Sequence, residues 1–160
     1  MTPTTTHASW FARLWRLGEC ALALLEKLRP VALLLARLYV ASVFFRSGLT
    51  KIRDFDTTLA LFVDEYHVPL LNPTVAAYLG TGAELLFPVL LVAGLATRFA
   101  AAGLSVLNVV AVLSLTEIAE AALQGHIFWG SLLAVLLLWG PGRWSLDHWL
   151  VPALRRRVLG

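Results

Sequence analysis

Long apolar runs separated by short polar stretches dominate this chain. The runs cover residues 30–50, 74–96, 99–115 and 127–140. Because an α-helix rises about 1.5 Å per residue, about 20 apolar residues span the roughly 30 Å hydrocarbon core of a bilayer. The fourth run is short, and it completes a crossing if its helix begins near Ala121; a re-entrant segment is the alternative. The pattern predicts an all-α fold built as a four-helix transmembrane bundle.

The composition supports a membrane protein and excludes several classes of function. Of 160 residues, 59% are hydrophobic and only 14% are charged, whereas soluble domains carry about 25% charged residues. Cys20 is the single cysteine, so the chain cannot form an intramolecular disulfide. The sequence contains no P-loop, dinucleotide fingerprint or HExxH motif. It also lacks a basic stripe interleaved with aromatic residues, so we expect no nucleic-acid partner.

The distribution of basic residues predicts the orientation in the membrane. With four crossings, one side collects nine of them: Arg13, Arg16, Lys27, Arg29, Arg98, Arg143, Arg155, Arg156 and Arg157. The other side has only Lys51 and Arg53, among six acidic residues. By the positive-inside rule, both termini are predicted to be cytoplasmic. We therefore expect a multi-pass protein of the bacterial inner (plasma) membrane.

Two segments outside the spans have helical patterns of their own. In residues 9–28 the apolar positions recur at steps of three and four, which predicts an amphipathic helix in the cytoplasmic interface, as an anchor or a partner-docking element. Residues 57–66, with Asp56 as the N-cap, predict a short helix on the periplasmic surface between spans 1 and 2. The chain divides into an amphipathic segment (1–29), a membrane domain (30–150) and a basic cytoplasmic tail (151–160).

Polar residues within the spans are the main candidates for a functional site. Arg37 and Arg46 lie in the first span, Glu84 in the second and Asn108 in the third. Helical side chains lean toward their own N-terminus, so Arg46 and Glu84 are predicted to approach each other from antiparallel helices. A triad that includes Arg37 stays open. Two interpretations of these residues are open. In the structural one, the charges fix helix packing and the arginine side chains near the ends snorkel to the head groups. In the functional one, they form a proton path or a site for a quinone head group.

A second group of candidates lies at the predicted periplasmic face. Glu117 and Glu120 share one side of a helix, His126 begins the fourth span, and His67 lies in the covering loop. Two carboxylates and two imidazoles suit a divalent transition metal. No compact ligand motif joins the four residues, so ordinary solvated interface residues are the favoured interpretation.

Three motifs resemble those of a known family. The first span contains the stretch LLARLYVASVFFRSGLTKI, in which an early arginine and a G-x-x-K exit correspond to Arg37, Gly48 and Lys51. The second span has Glu84 ahead of a proline and ends in GLATR, and residues 140–147 read GPGRWSLD. Over residues 32–149 the chain resembles the DoxX family, from whose pattern Arg46 departs.

The resemblance implies a four-helix inner-membrane protein with a role in redox metabolism. Some relatives resemble subunits of thiosulfate:quinone oxidoreductases, and others belong to membrane complexes that link thiol and superoxide defence. We therefore expect an accessory subunit of such a complex, and not a self-sufficient enzyme. It would contact a quinone, the one cofactor candidate, through residues of the buried-charge set: Arg37, Arg46, Lys51, Glu84 and Asn108.

Other functions remain alternatives to the redox subunit. A non-catalytic membrane scaffold or assembly factor would need the same fold and no ligand site. A small transporter has less support, because no span is interrupted like the broken helices of transporters. Expected partners are the lipid bilayer and other proteins of a membrane complex, and homo-oligomerisation is open.

The predicted topology can be tested with reporter fusions. A periplasm-active reporter inserted at His67 should be active, whereas the same reporter at the C-terminus should be inactive, because one predicted span precedes this loop and three follow it. A cytoplasm-active reporter should give the reverse pattern. Equal activity of one reporter at both positions would contradict the four-span topology.

Overall fold

The computed structural model describes the backbone of residues 6–159 and the side chains of residues 10–157. Within this range the chain forms six helices: α1 (Thr6–Arg53), α2 (Phe55–Asp64), α3 (Pro73–Ala93), α4 (Thr97–Ser114), α5 (Glu120–Trp139) and α6 (Leu146–Leu159). Helices α1, α3, α4 and α5 are long and apolar enough to cross a membrane. The prediction of an all-α bundle with four spans is confirmed.

The fourth span is a full-length helix. Helix α5 begins at Glu120 and continues for 20 residues, about 30 Å, so the short apolar run is only its central and C-terminal part. It ends where Gly140 adopts a positive φ of 78° and donates its backbone N–H to Leu136 O. A re-entrant segment is therefore not the structure that this run adopts.

Helix α1 is longer than the predicted first span. It runs for 48 residues, about 72 Å, and passes through Pro30 without ending. The segment predicted as a separate interfacial helix is thus the N-terminal part of α1. Proline removes one backbone hydrogen bond but does not always end a helix, and the Leu, Ala, Glu, Lys and Arg residues around Pro30 favour helix. A crossing needs only about 20 residues, so much of α1 projects beyond the bundle.

The cap of α2 differs from the prediction. Asp54, not Asp56, is the N-cap, and its carboxylate accepts hydrogen bonds from the backbone N–H (3.1 Å) and the hydroxyl (2.7 Å) of Thr57. These hydrogen bonds lower the pKa of Asp54 below its ordinary value. The cap falls two residues earlier because α2 follows α1 almost directly, and the hydroxyl of Thr58 donates to Lys51 O across this corner.

The four spans close into a ring. Helix α1 packs against α3 and α5, and α4 packs against α3 and α5. Their buried apolar side chains form one core, whose fully enclosed members include Val40, Leu91, Leu104, Leu133 and Leu136. Alanines Ala100 and Ala101 lie at this core with no exposed surface. Small residues let helices approach closely in lipid, where dispersion contacts hold them together.

Helix α2 covers one end of the bundle. It packs on α3 and on the end of α1, with Phe62 buried against Ala76 and Ala77. After α2, the backbone of Tyr66 forms an isolated antiparallel bridge with Leu115, and His67 N donates to Ser114 O at 2.8 Å. The loop is therefore tied to the C-terminal end of α4.

The segment that was predicted as a basic tail is helical. Residues Leu146–Leu159 form α6, which begins before the predicted tail boundary at residue 151. Its described side chains are exposed, apart from that of Asp147, which is half-buried. We call one end of the bundle the Arg37 end; it holds α6 and the start of the first crossing. The opposite end, which α2 covers, is the Lys51 end.

Candidate functional site

Arg37 lies inside the bundle at the Arg37 end. Its side chain is 1% exposed, and Nη2 donates a short hydrogen bond to the backbone oxygen of Trp144, more than one hundred positions later in the sequence. The Nε and Nη1 groups have no hydrogen-bond partner within the described part of the chain. The guanidinium therefore binds the loop after α5 to the first span.

A glycine makes room for this guanidinium. Gly94 ends α3 in the left-handed conformation, with a φ of 65°. A Cβ atom at this position would overlap Nη1 of Arg37 and would lie 2.5 Å from Cβ of Ser145. The turn between α3 and α4 can accept both the arginine and the C-terminal loop only because no side chain is present there.

The carboxylate of Asp147 completes the Arg37 end. It accepts hydrogen bonds from the backbone N–H groups of Ala96 (2.7 Å) and Thr97 (2.8 Å), at the start of α4. In return, Asp147 N donates to Gly94 O at 2.8 Å. Asp147 thus acts as an N-cap from another helix, and its negative charge is favourable beside a helix N-terminus. Its charge also acts favourably on Arg37 nearby.

Lys51 and Glu84 form a buried ion pair near the Lys51 end. The Nζ atom of Lys51 lies 2.5 Å from Oε1 of Glu84 and 3.4 Å from the hydroxyl of Ser47. The Glu84 side chain is 6% exposed and the Lys51 side chain 22%. The ammonium reaches inward from the end of α1 to the buried carboxylate, in the opposite direction to a snorkelling lysine, whose charged head extends toward water.

The predicted pairing of Arg46 with Glu84 is wrong. Gly48 is the residue of α1 that faces Glu84, because a Cβ atom added at Gly48 would lie 3.1 Å from Cβ of Glu84. Helical positions two apart point about 200° apart around the axis, so Arg46 faces away from α3 and is exposed. Lys51, three positions after Gly48, stays within about 60° of it. The prediction compared depths and ignored the direction around the helix.

Two polar atoms beside this ion pair lack partners. The second carboxylate oxygen of Glu84, Oε2, and the hydroxyl of Thr81 are buried without a hydrogen bond from the described residues. Thr81 precedes Glu84 by three residues, so both lie on one face of α3. A buried polar atom without a partner costs about 1–3 kcal/mol, so this group can bind a ligand that offers both a donor and an acceptor.

Tyr66 lies close enough to interact with the charge of Glu84. Burial raises the pKa of the Tyr66 hydroxyl above its ordinary value, and the charges of Glu84 and Glu65 raise it further. The hydroxyl is therefore protonated at neutral pH and is a hydrogen-bond donor. What we call the Lys51–Glu84 site consists of the side chains of Lys51, Glu84, Ser47 and Thr81.

Asn108 and His126 form a separate pair between α4 and α5. Nδ1 of His126 lies 2.8 Å from Oδ1 of Asn108, and Nδ2 of Asn108 donates to His126 O at 2.9 Å. Asn108 thus belongs to neither charged site, and its amide satisfies polar groups inside the bundle. A reciprocal hydrogen bond of this kind fixes the relative position of two helices.

The predicted metal ligands do not come together. Among the described residues, no group of three or more His, Cys, Asp or Glu side chains is placed to bind one metal ion. His126 uses Nδ1 for Asn108, and Nδ1 of His67 lies 3.2 Å from Glu65 O. Glu117 and Glu120 are exposed near the start of α5.

Sequence reasoning named Glu84, Lys51 and Arg37 but missed their actual partners. The spacing of Thr81 and Glu84 on one helical face was a signal for their proximity that the sequence contains. No comparable signal exists for the contact of Arg37 with Trp144, because the acceptor is a backbone carbonyl. The sequence likewise contains no signal for the contacts of Asp147, because its hydrogen-bond donors are backbone amides at the start of α4.

The fold and its buried charges define an integral membrane protein with four crossing helices. Residues 32–117 match the model of the DoxX family. The chain is also 32% identical over 124 residues to an uncharacterized protein of Haemophilus influenzae, a match that covers 73% of this chain and 82% of the relative. The chain belongs to the DoxX family. No solved structure matches it.

The space provided by Gly94 predicts a large effect of a small substitution. Gly94→Ala should lower the thermal stability in detergent, because the left-handed conformation costs an alanine about 1–2 kcal/mol and the methyl group overlaps Arg37. Gly82→Ala is the matched control, since Gly82 lies within α3 with open space around it and alanine favours helix. Equal melting temperatures for both variants would contradict the packing described at Gly94.

The ion pair predicts a rescue specific to Lys51. Glu84→Gln should destabilise the protein, because breaking a buried pair costs about 3–5 kcal/mol, and less where the lysine can snorkel. Adding Lys51→Met should recover much of this loss, whereas adding Arg46→Met should recover none. Thermal unfolding of the single and double variants gives the coupling energies. Equal rescue by both second substitutions would contradict the pairing.

Proposed function

We propose that this protein is an accessory subunit of a membrane redox complex and that it binds a quinone head group at the Lys51–Glu84 site. The observation that carries this proposal is the pair of buried polar atoms without partners, Glu84 Oε2 and Thr81 Oγ1, beside a lysine ammonium. Intramembrane ionisable residues usually mark ligand sites or proton pathways, because burying a charge in lipid is costly.

The donors and acceptors of the site match both forms of a quinone. A quinone carries two electrons and two protons between membrane complexes. Its carbonyl oxygens can accept hydrogen bonds from the hydroxyl of Thr81 and the ammonium of Lys51, which has three donors. The hydroxyl groups of the reduced form can donate to Oε2 of Glu84.

We assign an accessory role because the single thiol of the chain, that of Cys20, lies far from the Lys51–Glu84 site. Cys20, the single cysteine, is exposed in the N-terminal part of α1, at the opposite end of the bundle from the Lys51–Glu84 site. In this proposal the electrons reach the quinone from a partner protein, and this chain supplies the head-group site within the membrane.

A short-chain quinone analogue such as decylubiquinone tests the proposal. We expect it to raise the melting temperature of the purified full-length protein in detergent in a saturable manner. Thr81→Val removes one hydroxyl and keeps the ion pair, and it should weaken binding about threefold to tenfold, the value of one hydrogen bond. The measurement is the shift in melting temperature as a function of quinone concentration.

Thr97→Val is the matched control for this experiment. Thr97 is also buried with a hydroxyl that lacks a partner in the described structure, but it lies at the Arg37 end. The control variant should bind the analogue like the unsubstituted protein. Equal weakening by both substitutions, or no saturable shift in the unsubstituted protein, would overturn the quinone site.

A membrane scaffold is the second candidate, and one observation favours it. Residues 10–29 of α1 are exposed on all sides, and they include the large apolar side chains of Phe11, Trp15 and Leu22. A scaffold would copurify from native membranes with a partner protein, and Trp15→Glu would abolish the association without affecting quinone binding. The redox subunit instead requires that substitutions at the Lys51–Glu84 site reduce quinone binding.

A further inference from the structure

A cleft opens at the Arg37 end between residues 26–33 of α1 and the segment after α5. Its volume is about 1160 Å³, and it is bounded by α1 around Pro30, by the start of α4 and by residues 139–151. This is the opposite end of the bundle from the Lys51–Glu84 site. It has room for the head group of a phospholipid together with the upper part of its acyl chains.

Basic side chains outnumber acidic ones around this cleft. Lys27, Arg29, Arg98 and Arg143 contribute positive charge, against Glu26 and Asp147. Both acidic groups already have partners: Glu26 lies 3.6 Å from Arg29, and the Asp147 carboxylate accepts the two amides at the start of α4. The field inside the cleft is therefore positive.

Two of the basic groups are available for a ligand. Lys27 and Arg143 form no side-chain hydrogen bond or ion pair with any described residue, whereas Arg98 uses Nη2 to donate to Leu138 O at 3.1 Å. Thr97 also borders the cleft, and its fully buried hydroxyl has no partner in the described structure. The cleft thus combines free cationic donors with an unsatisfied neutral donor.

The walls of the cleft are apolar and aromatic. Leu33 and Phe99 lie on the side toward the bundle, and Trp139, Trp144 and Trp149 border the cleft with their rings largely exposed. Tryptophan is enriched where membrane proteins meet the head-group layer. A ligand in the cleft would therefore have its charged part at the head-group level and its apolar part against the spans.

We propose that this cleft binds the phosphate head group of an anionic phospholipid. Lys27 and Arg143 bind the phosphate, and the tryptophans and Leu33 contact the glycerol backbone and acyl chains. Basic pockets at the ends of transmembrane helices favour anionic lipids because the charge attraction and the apolar burial act on the same molecule. The site would hold the projecting part of α1 next to α6 through a lipid, since α1 and α6 bound the cleft from opposite sides.

Lipid titration of the full-length protein tests this proposal. Dioleoylphosphatidylglycerol, added to protein delipidated in a non-ionic detergent, should raise the melting temperature in a saturable manner, and phosphatidylcholine with the same chains should raise it much less. The double variant Lys27→Gln, Arg143→Gln should bind phosphatidylglycerol at least about tenfold more weakly, because each basic residue contributes about 1 kcal/mol to anionic-lipid binding.

Two further variants separate the cleft from general surface charge. Arg155→Gln with Arg156→Gln removes the same charge from α6, outside the cleft, and should retain the binding. Lys27→Arg with Arg143→Lys preserves the charge of the cleft and should also retain it. If the Arg155→Gln, Arg156→Gln variant lost as much phosphatidylglycerol binding as the cleft variant, the cleft site would be overturned. The result would indicate diffuse attraction between the lipid and basic residues on the surface.

Soluble phosphate compounds show whether the cleft binds a lipid head group or a free phosphate. Inorganic phosphate and glycerol 3-phosphate should give no stabilisation at concentrations where phosphatidylglycerol saturates, because they lack the acyl chains that contact the apolar wall. Stabilisation by inorganic phosphate at similar concentrations would overturn the lipid site and identify a soluble-anion site. Equal stabilisation by phosphatidylcholine would overturn the requirement for negative charge.

Discussion

The burial of Arg37 inside an apolar bundle determines how one end of this protein is built. A guanidinium in the middle of a membrane helix costs at least about 2.5–3.5 kcal/mol unless protein groups surround it. Here the carbonyl of Trp144 accepts one of its N–H groups, and Asp147 lies close enough for charge attraction. The chain after α5 therefore has to fold back onto the first span, and the arginine links the two ends of the sequence.

The rest of the Arg37 end follows from this contact. Gly94 must adopt a left-handed conformation without a side chain, because the guanidinium and Ser145 occupy the adjacent space. The returning loop then brings Asp147 to the first amides of α4, where the carboxylate replaces the missing side-chain cap of that helix. One buried charge thus fixes a turn, a helix start and the position of α6. In the fold, the motif GPGRWSLD and the early arginine of the first span therefore meet at this end of the bundle.

The two charged sites differ in the partner of the buried charge, which is a backbone carbonyl for Arg37 and a lysine ammonium for Glu84. At the Arg37 end, the carbonyl of Trp144 accepts from the guanidinium and Gly94 leaves no room for a side chain beside it, while Nε and Nη1 have no partner among the described residues. At the Lys51 end, a carboxylate oxygen and a hydroxyl beside the ion pair have no partner among the described residues. Between them, Asn108 and His126 satisfy each other across α4 and α5. The contact of Arg37 with Trp144 joins two distant segments of the chain and supports a structural role, whereas the ligand-binding role proposed for Glu84 rests on its own unpartnered oxygen and the Thr81 hydroxyl.

The sequence by itself determined the spans and the number of crossings, but only part of the set of buried charges, since that set also included Arg46, which is exposed. Hydrophobic length and the cost of charge in lipid are local properties, so they can be assessed without knowledge of helix packing. The same reasoning identified Glu84, Arg37 and Lys51 as important positions. It failed for the N-cap of α2 and for the continuity of α1 through Pro30, because two nearby aspartates can both cap and a proline does not always end a helix.

Only the tertiary structure decided which charges meet. Depth in the membrane favoured Arg46 as the partner of Glu84, but the rotation of α1 about its axis points Arg46 away and brings Lys51 inward. That rotation is set by the close approach of Gly48 to α3, a contact between residues distant in sequence. The partners of Arg37 and Asp147 are backbone groups, which every residue carries, so side-chain identities in the sequence could not reveal them.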